Sequence, residues 1–253
     1  VLFHDYTLNT NMVKDENGNW IDNFDLKIMD LTYDQISNYS IESLKPGSGY
    51  SDRFKNQKSV EGAKIPKLID LFQLVNKENY KDVFLNLEVK SNPNLKDVTP
   101  EPKEMVATIL KDIKDYNLED RIVVTSFDWR ILYELKKQNP NVLRGFLTLQ
   151  QNLGSTKKNI YENSPWINKE FSMEELFLLP NIIKSIEGHV WSAFYRDITK
   201  QNVELAHKQG LAVNVWTVNR QQDIIRMIEY GVDGIITDYP KKVQEICRSK
   251  NIS

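Results

Sequence analysis

The sequence contains a single cysteine, Cys247, which excludes an internal disulfide and any zinc site built on cysteines. It has no apolar run near the roughly 20 residues that a membrane-crossing helix needs. It has no excess of either charge: 33 basic residues stand against 35 acidic ones, a net charge of -2. That balance leaves no basic footprint for nucleic acid. Internal repeats and long low-complexity stretches are absent, and no G-x-G-x-x-G follows a strand-like run, which weakens a dinucleotide-binding reading. The opening Val1-Leu2-Phe3 carries no initiator Met, no positively charged leader and no signal-peptide pattern. Compartment is therefore left open between cytoplasmic and periplasmic or secreted.

What is present is enough for a core. Of 253 residues, 40% are hydrophobic and 10% aromatic, which fits one large domain or two small ones. Residues 6–60 are polar and turn-rich and read as an insertion. Asn17-Gly18 centres one turn, Pro46-Gly47-Ser48-Gly49 forms another, and a short helix fits Thr32 to Tyr39.

From residue 61 onward, strand-like and helix-like segments alternate. Helical spacing marks Ile65 to Val75, Glu101 to Tyr116, Asp128 to Gln138, Thr199 to Gln209, Arg220 to Tyr230 and Pro240 to Arg248. Ser172 to Ile186 is helical too, with Pro180 expected to break or kink it. Gly210 and Gly231 are placed as C-terminal caps. Apolar strands are expected at Val83 to Lys90, Arg121 to Ser126, Val142 to Leu149, Val190 to Ser192, Leu211 to Val218 and Val232 to Thr237, with a loop over 151–170. Such alternation predicts parallel strands joined by crossover helices. Near-continuous apolar strands predict burial on both faces. Six strands follow residue 80, whereas a (β/α)8 barrel needs eight.

In barrels of this kind, functional side chains sit at the C-terminal ends of the strands. Those ends hold Glu88 and Lys90, Ser126 and Phe127, Trp191 and Ser192, Trp216 and Asn219, and Asp238. Glu88 and Lys90 are two apart and so share a strand face. Either they neutralise one another as a salt bridge, or Glu88 holds a divalent cation and Lys90 a phosphate, because buried charges need partners. His4 is either a proton donor near neutral pH or a hydrogen-bonded structural residue. Trp216 is either a pocket wall or core. His207, near a helix C-terminus, reads as structural or surface, and His189, ahead of its strand, is assigned no role.

Four segments resemble the glycerophosphodiester phosphodiesterase family. They are Val1-Leu2-Phe3-His4-Asp5-Tyr6-Thr7-Leu8, Asn86-Leu87-Glu88-Val89-Lys90, Val123-Val124-Thr125-Ser126-Phe127, and Val215-Trp216-Thr217-Val218-Asn219 with Gly231-Val232-Asp233-Gly234-Ile235-Ile236-Thr237-Asp238-Tyr239-Pro240. The resemblance runs through nearly the whole chain in the family's order. It implies a single α/β domain over 1–253, a TIM barrel with 6–60 as the insertion after its second strand. It also implies hydrolysis of glycerophosphodiesters to glycerol 3-phosphate and an alcohol, with a divalent metal, Mg2+ or Ca2+. Family roles then fall on His4 as acid to the leaving alcohol, Glu88 as metal ligand, Lys90 at the phosphate and Trp216 at the pocket wall. The family's first two strands, with His-Arg and Glu-x-Asp, find no match, so the expectation is a barrel lacking two strands and an incomplete metal site. Two other outcomes stay open: a non-catalytic phosphodiester-binding barrel, or a phospholipase D-like or lyase reaction on lysophospholipids.

Overall fold

The computed structural model describes residues 1–154 and 156–251; Ser155, within the expected 151–170 loop, lies outside the described residues, as do Ile252 and Ser253. The chain forms two compact units. One comprises Val1–Val83 and Asn94–Leu118, the other Phe84–Pro93 and Glu119–Ser253.

The first unit is built from short capped pieces. Thr32 accepts from the Gln35 amide while Gln35 accepts from the Thr32 amide, and this reciprocal cap starts α1 (Tyr33–Ile36). Ser48 caps α2 (Gly49–Arg53) in the same unit. The expected turn at Asn17-Gly18 forms, with Gly18 at φ 80° and the Asp15 carboxylate accepting from the Asn17 and Asn19 amides. Although the segment reads as polar, it holds a core of Leu8, Val13, Ile21, Ile36 and Ile65. The helix expected from Ile65 begins later, as α3 (Leu68–Val75), because Pro66 keeps Ile65 out of helical conformation. α4 (Pro102–Asp115) opens on a proline at its first turn, where the missing N–H costs nothing. Phe72 of α3 packs on Tyr116, just past α4, with centroids 5.8 Å apart.

The second unit holds six parallel strands in chain order: β1 (Leu85–Glu88), β2 (Ile122–Ser126), β3 (Leu143–Thr148), β4 (Val190–Phe194), β5 (Ala212–Trp216) and β6 (Gly234–Ile235). A doubly wound sheet would reverse its strand order at a switch point. This sheet does not, so its order is the one a (β/α) barrel has. The intervening helices are α5 (Trp129–Gln138), α6 (Met173–Leu176), α7 (Leu179–Ser185), α8 (Lys200–Lys208) and α9 (Gln221–Tyr230), and α10 (Pro240–Ser249) follows β6. Pro180 acts as expected: the 172–186 segment splits, and the proline occupies the first turn of α7. Gly231 caps α9 at φ 80°, and Gly210 follows α8 at φ 72°.

Burial on both faces holds only for the middle of the sheet. β2, β3 and β4 are almost wholly buried, whereas β1 alternates between half-buried and exposed and β5 between buried and half-buried. β1 and β6 are the outer strands, and Phe84, just ahead of β1, is 72% exposed. β6 is also shorter than expected, though the Ile236 amide still donates to Val215 O at 2.8 Å. At Gly234 a Cβ would come within 2.3 Å of the Asn214 side-chain oxygen, so a larger residue there would have to displace that side chain.

Candidate active site on the strand ends

Register decides which side chains share a side of the sheet. Glu88 pairs with Thr125, Thr125 with Gly145, and Gly145 with Val190. A Cβ on Gly145 would meet Thr125 and Val123 side chains, which confirms that this row points one way. Further along the same side, the strands carry Lys90 and Phe127 two residues on, and Phe194 and Trp216 four residues beyond Val190 and its partner Ala212.

The backbone stays extended past the end of β1, since the Val89 amide donates to Thr125 O at 2.8 Å. Lys90 Nζ reaches Glu88 Oε1 at 2.7 Å, and the two side chains keep 24% and 31% of their surface accessible. The contact is a short charge-assisted one between two partly covered side chains. Lys90 Nζ also lies 5.8 Å from the Phe127 ring centroid. Phe127 meets Trp216 edge-on at 5.2 Å and 85°, and Trp216 packs on Phe194 at 5.2 Å. The Trp216 indole N–H donates to Ser192 O at 3.1 Å, which fixes the ring plane. The result is a charged end, Glu88 and Lys90, that runs into an aromatic wall. Below it on the same side, the Thr125 and Ser192 hydroxyls are buried without a hydrogen-bond partner. Beyond β5, Asn219 binds the Asp238 carboxylate and accepts from the Thr237 hydroxyl and the Asp238 amide, joining the ends of β5 and β6.

Glu88, Lys90 and Trp216 are therefore brought together, and all three belong to the second unit. His4 belongs to the first unit, within a cluster of its own. Its Nδ1 lies 2.7 Å from Asp5 Oδ1, and Asp5 Oδ2 accepts from the Asn9 amide group at 2.6 Å. The ring is 74% exposed. Nearby Tyr50 is pushed above the ordinary phenol range by burial and then by the Asp5 carboxylate, with Arg53 and Asn9 acting in the opposite sense.

The donors among the described residues do not by themselves make a hard-cation site. Among the described residues, no group of three or more His, Cys, Asp or Glu could hold a metal ion. Glu88 alone offers one carboxylate, already facing Lys90, whereas Ca2+ or Mg2+ takes six or more oxygens.

The other two histidines each make a hydrogen-bonded contact elsewhere in the second unit. His207 Nε2 meets Asp233 Oδ2 at 2.9 Å, and the same oxygen accepts from the Val213 amide. His189 Nδ1 accepts from the Arg144 amide at 3.2 Å.

Asp128 has a larger part than its sequence position indicated. Its carboxylate is fully buried, and it accepts from Ser91 Oγ at 2.8 Å and from the Arg130 guanidinium at 2.7–3.2 Å. The one sequence signal for this is an acidic residue at a helix start with an arginine two places on. Aromatic pairing of Phe127 and Phe194 with Trp216 was likewise out of reach of spacing alone.

Relatives and solved structures agree with the fold. A profile of the Glycerophosphoryl diester phosphodiesterase family matches residues 1–242. A glycerophosphodiester phosphodiesterase of Caldanaerobacter subterraneus subsp. tengcongensis is 31% identical over 216 residues, 84% of this chain and 73% of that protein. A solved structure from Silicibacter pomeroyi DSS-3, assigned as a glycerophosphoryl diester phosphodiesterase, superimposes with a TM-score of 0.85 at 31% identity, over 99% of this chain and 79% of that one. The Oleispira antarctica phosphodiesterase solved with its product sn-glycerol-3-phosphate shares the fold, with a TM-score of 0.64 at 18% identity over 96% of this chain and 77% of that one. On these findings the chain belongs to the glycerophosphoryl diester phosphodiesterase family, and through it to the phosphodiester hydrolases.

Proposed function

We propose that this protein hydrolyses glycerophosphodiesters to glycerol 3-phosphate and an alcohol, and that Glu88, Lys90 and Trp216 mark where the phosphodiester binds. The observation that carries this reading is the Lys90 ammonium, 2.7 Å from Glu88, beside the Phe127–Trp216 wall at the strand ends. A phosphodiester anion replaces Glu88 as partner of Lys90, a charge-assisted contact, while the aromatic rings exclude water from one side. His4 is the proton donor to the leaving alcohol. The phosphorus–oxygen bond to the alcohol breaks, the proton passes from Nε2 to that oxygen, and water supplies the hydroxyl that remains on phosphorus, its other proton going to solvent, from which His4 is reprotonated. Acid catalysis of this kind is worth roughly 100- to 10,000-fold. In this reading Glu88 supplies one oxygen to a divalent cation, Mg2+ or Ca2+, which would polarise the phosphoryl group. One carboxylate is too few to complete that shell.

Release of choline from glycerophosphocholine by the full-length protein tests the proposal. It should vanish with a chelator and in His4→Ala or Glu88→Ala, and full activity in either variant sinks the assignment. A cyclic phosphate formed from a lysolipid would instead favour the phospholipase D-like or lyase course. The single carboxylate favours a second reading, phosphodiester binding without turnover. That reading is supported if glycerol 3-phosphate binds in a Lys90-dependent way while no substrate is cleaved with any divalent cation.

A further inference from the structure

Lys90 lies two residues past the last register pair of β1, Glu88–Thr125, and one past the Val89 amide that donates to Thr125 O. A side chain meant to meet a phosphate needs a fixed backbone, and here that support comes from the turn after β2. The Ser126 hydroxyl donates to Val89 O at 2.8 Å, on one side of Lys90. The Ser91 hydroxyl donates to Asp128 Oδ2 at 2.8 Å, on the other side. The two anchors are themselves joined, because the Asp128 amide donates to Ser126 Oγ at 3.1 Å. Asp128 is a buried carboxylate, which is costly unless its oxygens are filled. They are filled: Oδ1 accepts from the Arg130 amide and Nε, and Oδ2 from Arg130 Nη2 and Ser91.

Asp128 would need only its N-cap contact to start α5, and an asparagine or serine would do that as well. The additional hydrogen bond to Ser91 reaches 37 residues back along the chain, into the segment that carries Glu88 and Lys90. We infer that Ser91 and Asp128 are positioning residues, which clamp the backbone on either side of Lys90 so that its ammonium is held for a phosphoryl group they do not touch. The inference rests on the reading of Lys90 given under the proposed function.

Calorimetric titration with sn-glycerol 3-phosphate, alongside glycerophosphocholine hydrolysis and thermal melting, tests it on the full-length protein. Lys90→Met serves as reference and should abolish binding. Ser91→Ala should weaken glycerol 3-phosphate binding about tenfold, as misplacement of a contact group does. Its melting temperature should stay within about 2 °C of native, because Arg130 still fills both Asp128 oxygens. Ser91→Thr, which keeps the hydroxyl, should recover binding, and Asp128→Asn should weaken it as Ser91→Ala does. Native binding by Ser91→Ala while Lys90→Met binds nothing overturns the clamp alone. So does a loss that Ser91→Thr fails to restore, or one that only follows the fraction of unfolded protein. Native binding by Lys90→Met overturns both the clamp and the reading of the site beneath it. If Asp128→Asn does not fold, the Ser91 pair still decides the question.

Discussion

The two sides of the six-stranded sheet share one backbone and differ in almost everything else. On one side, Phe146 lies under Trp129 at 5.0 Å and 87°, Trp129 is fully buried, and its indole donates to Leu147 O. Gly188 has no room for a methyl group there, since a Cβ would come within 2.4 Å of Ile183 and 2.8 Å of Phe146. On the other side, the strand ends carry a half-exposed ion pair and a half-buried tryptophan, and two buried hydroxyls lack partners. Alternation along a strand lets one residue serve packing while the next remains available for chemistry. The two sides should therefore respond differently to substitution, in stability on one and in ligand binding on the other.

The largest expected effect comes from the packed side. Trp129→Ala should cost about 3–5 kcal/mol in urea unfolding. Trp216→Ala should cost less, because its ring is only half buried, yet it should impair substrate binding more. Equal stability losses in the two variants would erase the distinction. The next effect tests whether the open side is also tightly packed at its base. Gly145→Ala places a Cβ within 2.5 Å of Thr125 Cγ2 and 3.3 Å of Val123 Cγ1, and the overlap should cost about 1–3 kcal/mol. Adding Thr125→Ser removes the offending methyl and should recover part of that loss. No recovery in the double variant would show that the strain lies elsewhere.

The sequence made the sheet legible because alternating apolar runs and helical spacing are local signals. The strand at Val190 and the break at Pro180 followed from them directly, and so did the glycine caps. What local patterns missed is non-local. The core formed by Leu8, Val13, Ile21, Ile36 and Ile65 draws single residues from a polar segment, so no run of hydrophobicity announces it. The exposure of β1 reflects its place at the sheet edge, which its apolar residues do not reveal. Within the site, Glu88 and Lys90 were paired by spacing because a period of two puts them on one face. Phe127 meets Trp216 across 89 positions in sequence, and Ser91 meets Asp128 across 37, and neither contact has a local signature.

The packed side also predicts a pH response. Burial, then the charges of Arg144 and Lys184, hold the His189 imidazole below its ordinary value, with Glu187 opposing. The unfolded chain takes up a proton near pH 6.5 while the folded one resists it. Stability should therefore fall as pH drops below about 6.5, through the window above the carboxylate range. His189→Gln should flatten that dependence in unfolding curves taken between pH 7 and 5. An unchanged slope would assign the acid sensitivity to other groups.

The smallest stability effect is expected at the Glu88–Lys90 pair, where the proposed function places the phosphodiester. Lys90 and Glu88 each keep part of their surface in contact with water, so their mutual attraction is partly screened and offset by the entropy of holding two long side chains. Lys90→Met should therefore change unfolding free energy by less than about 1 kcal/mol, while glycerol 3-phosphate binding is lost. A core residue cannot behave this way, because its contacts are what the folded state consists of. A destabilisation as large as that of Gly145→Ala would mean that the pair holds the end of β1 in place. Glu88 and Lys90 would then belong with Trp129 among the residues that hold the fold together, and the phosphate contact would have to be sought elsewhere along the strand ends.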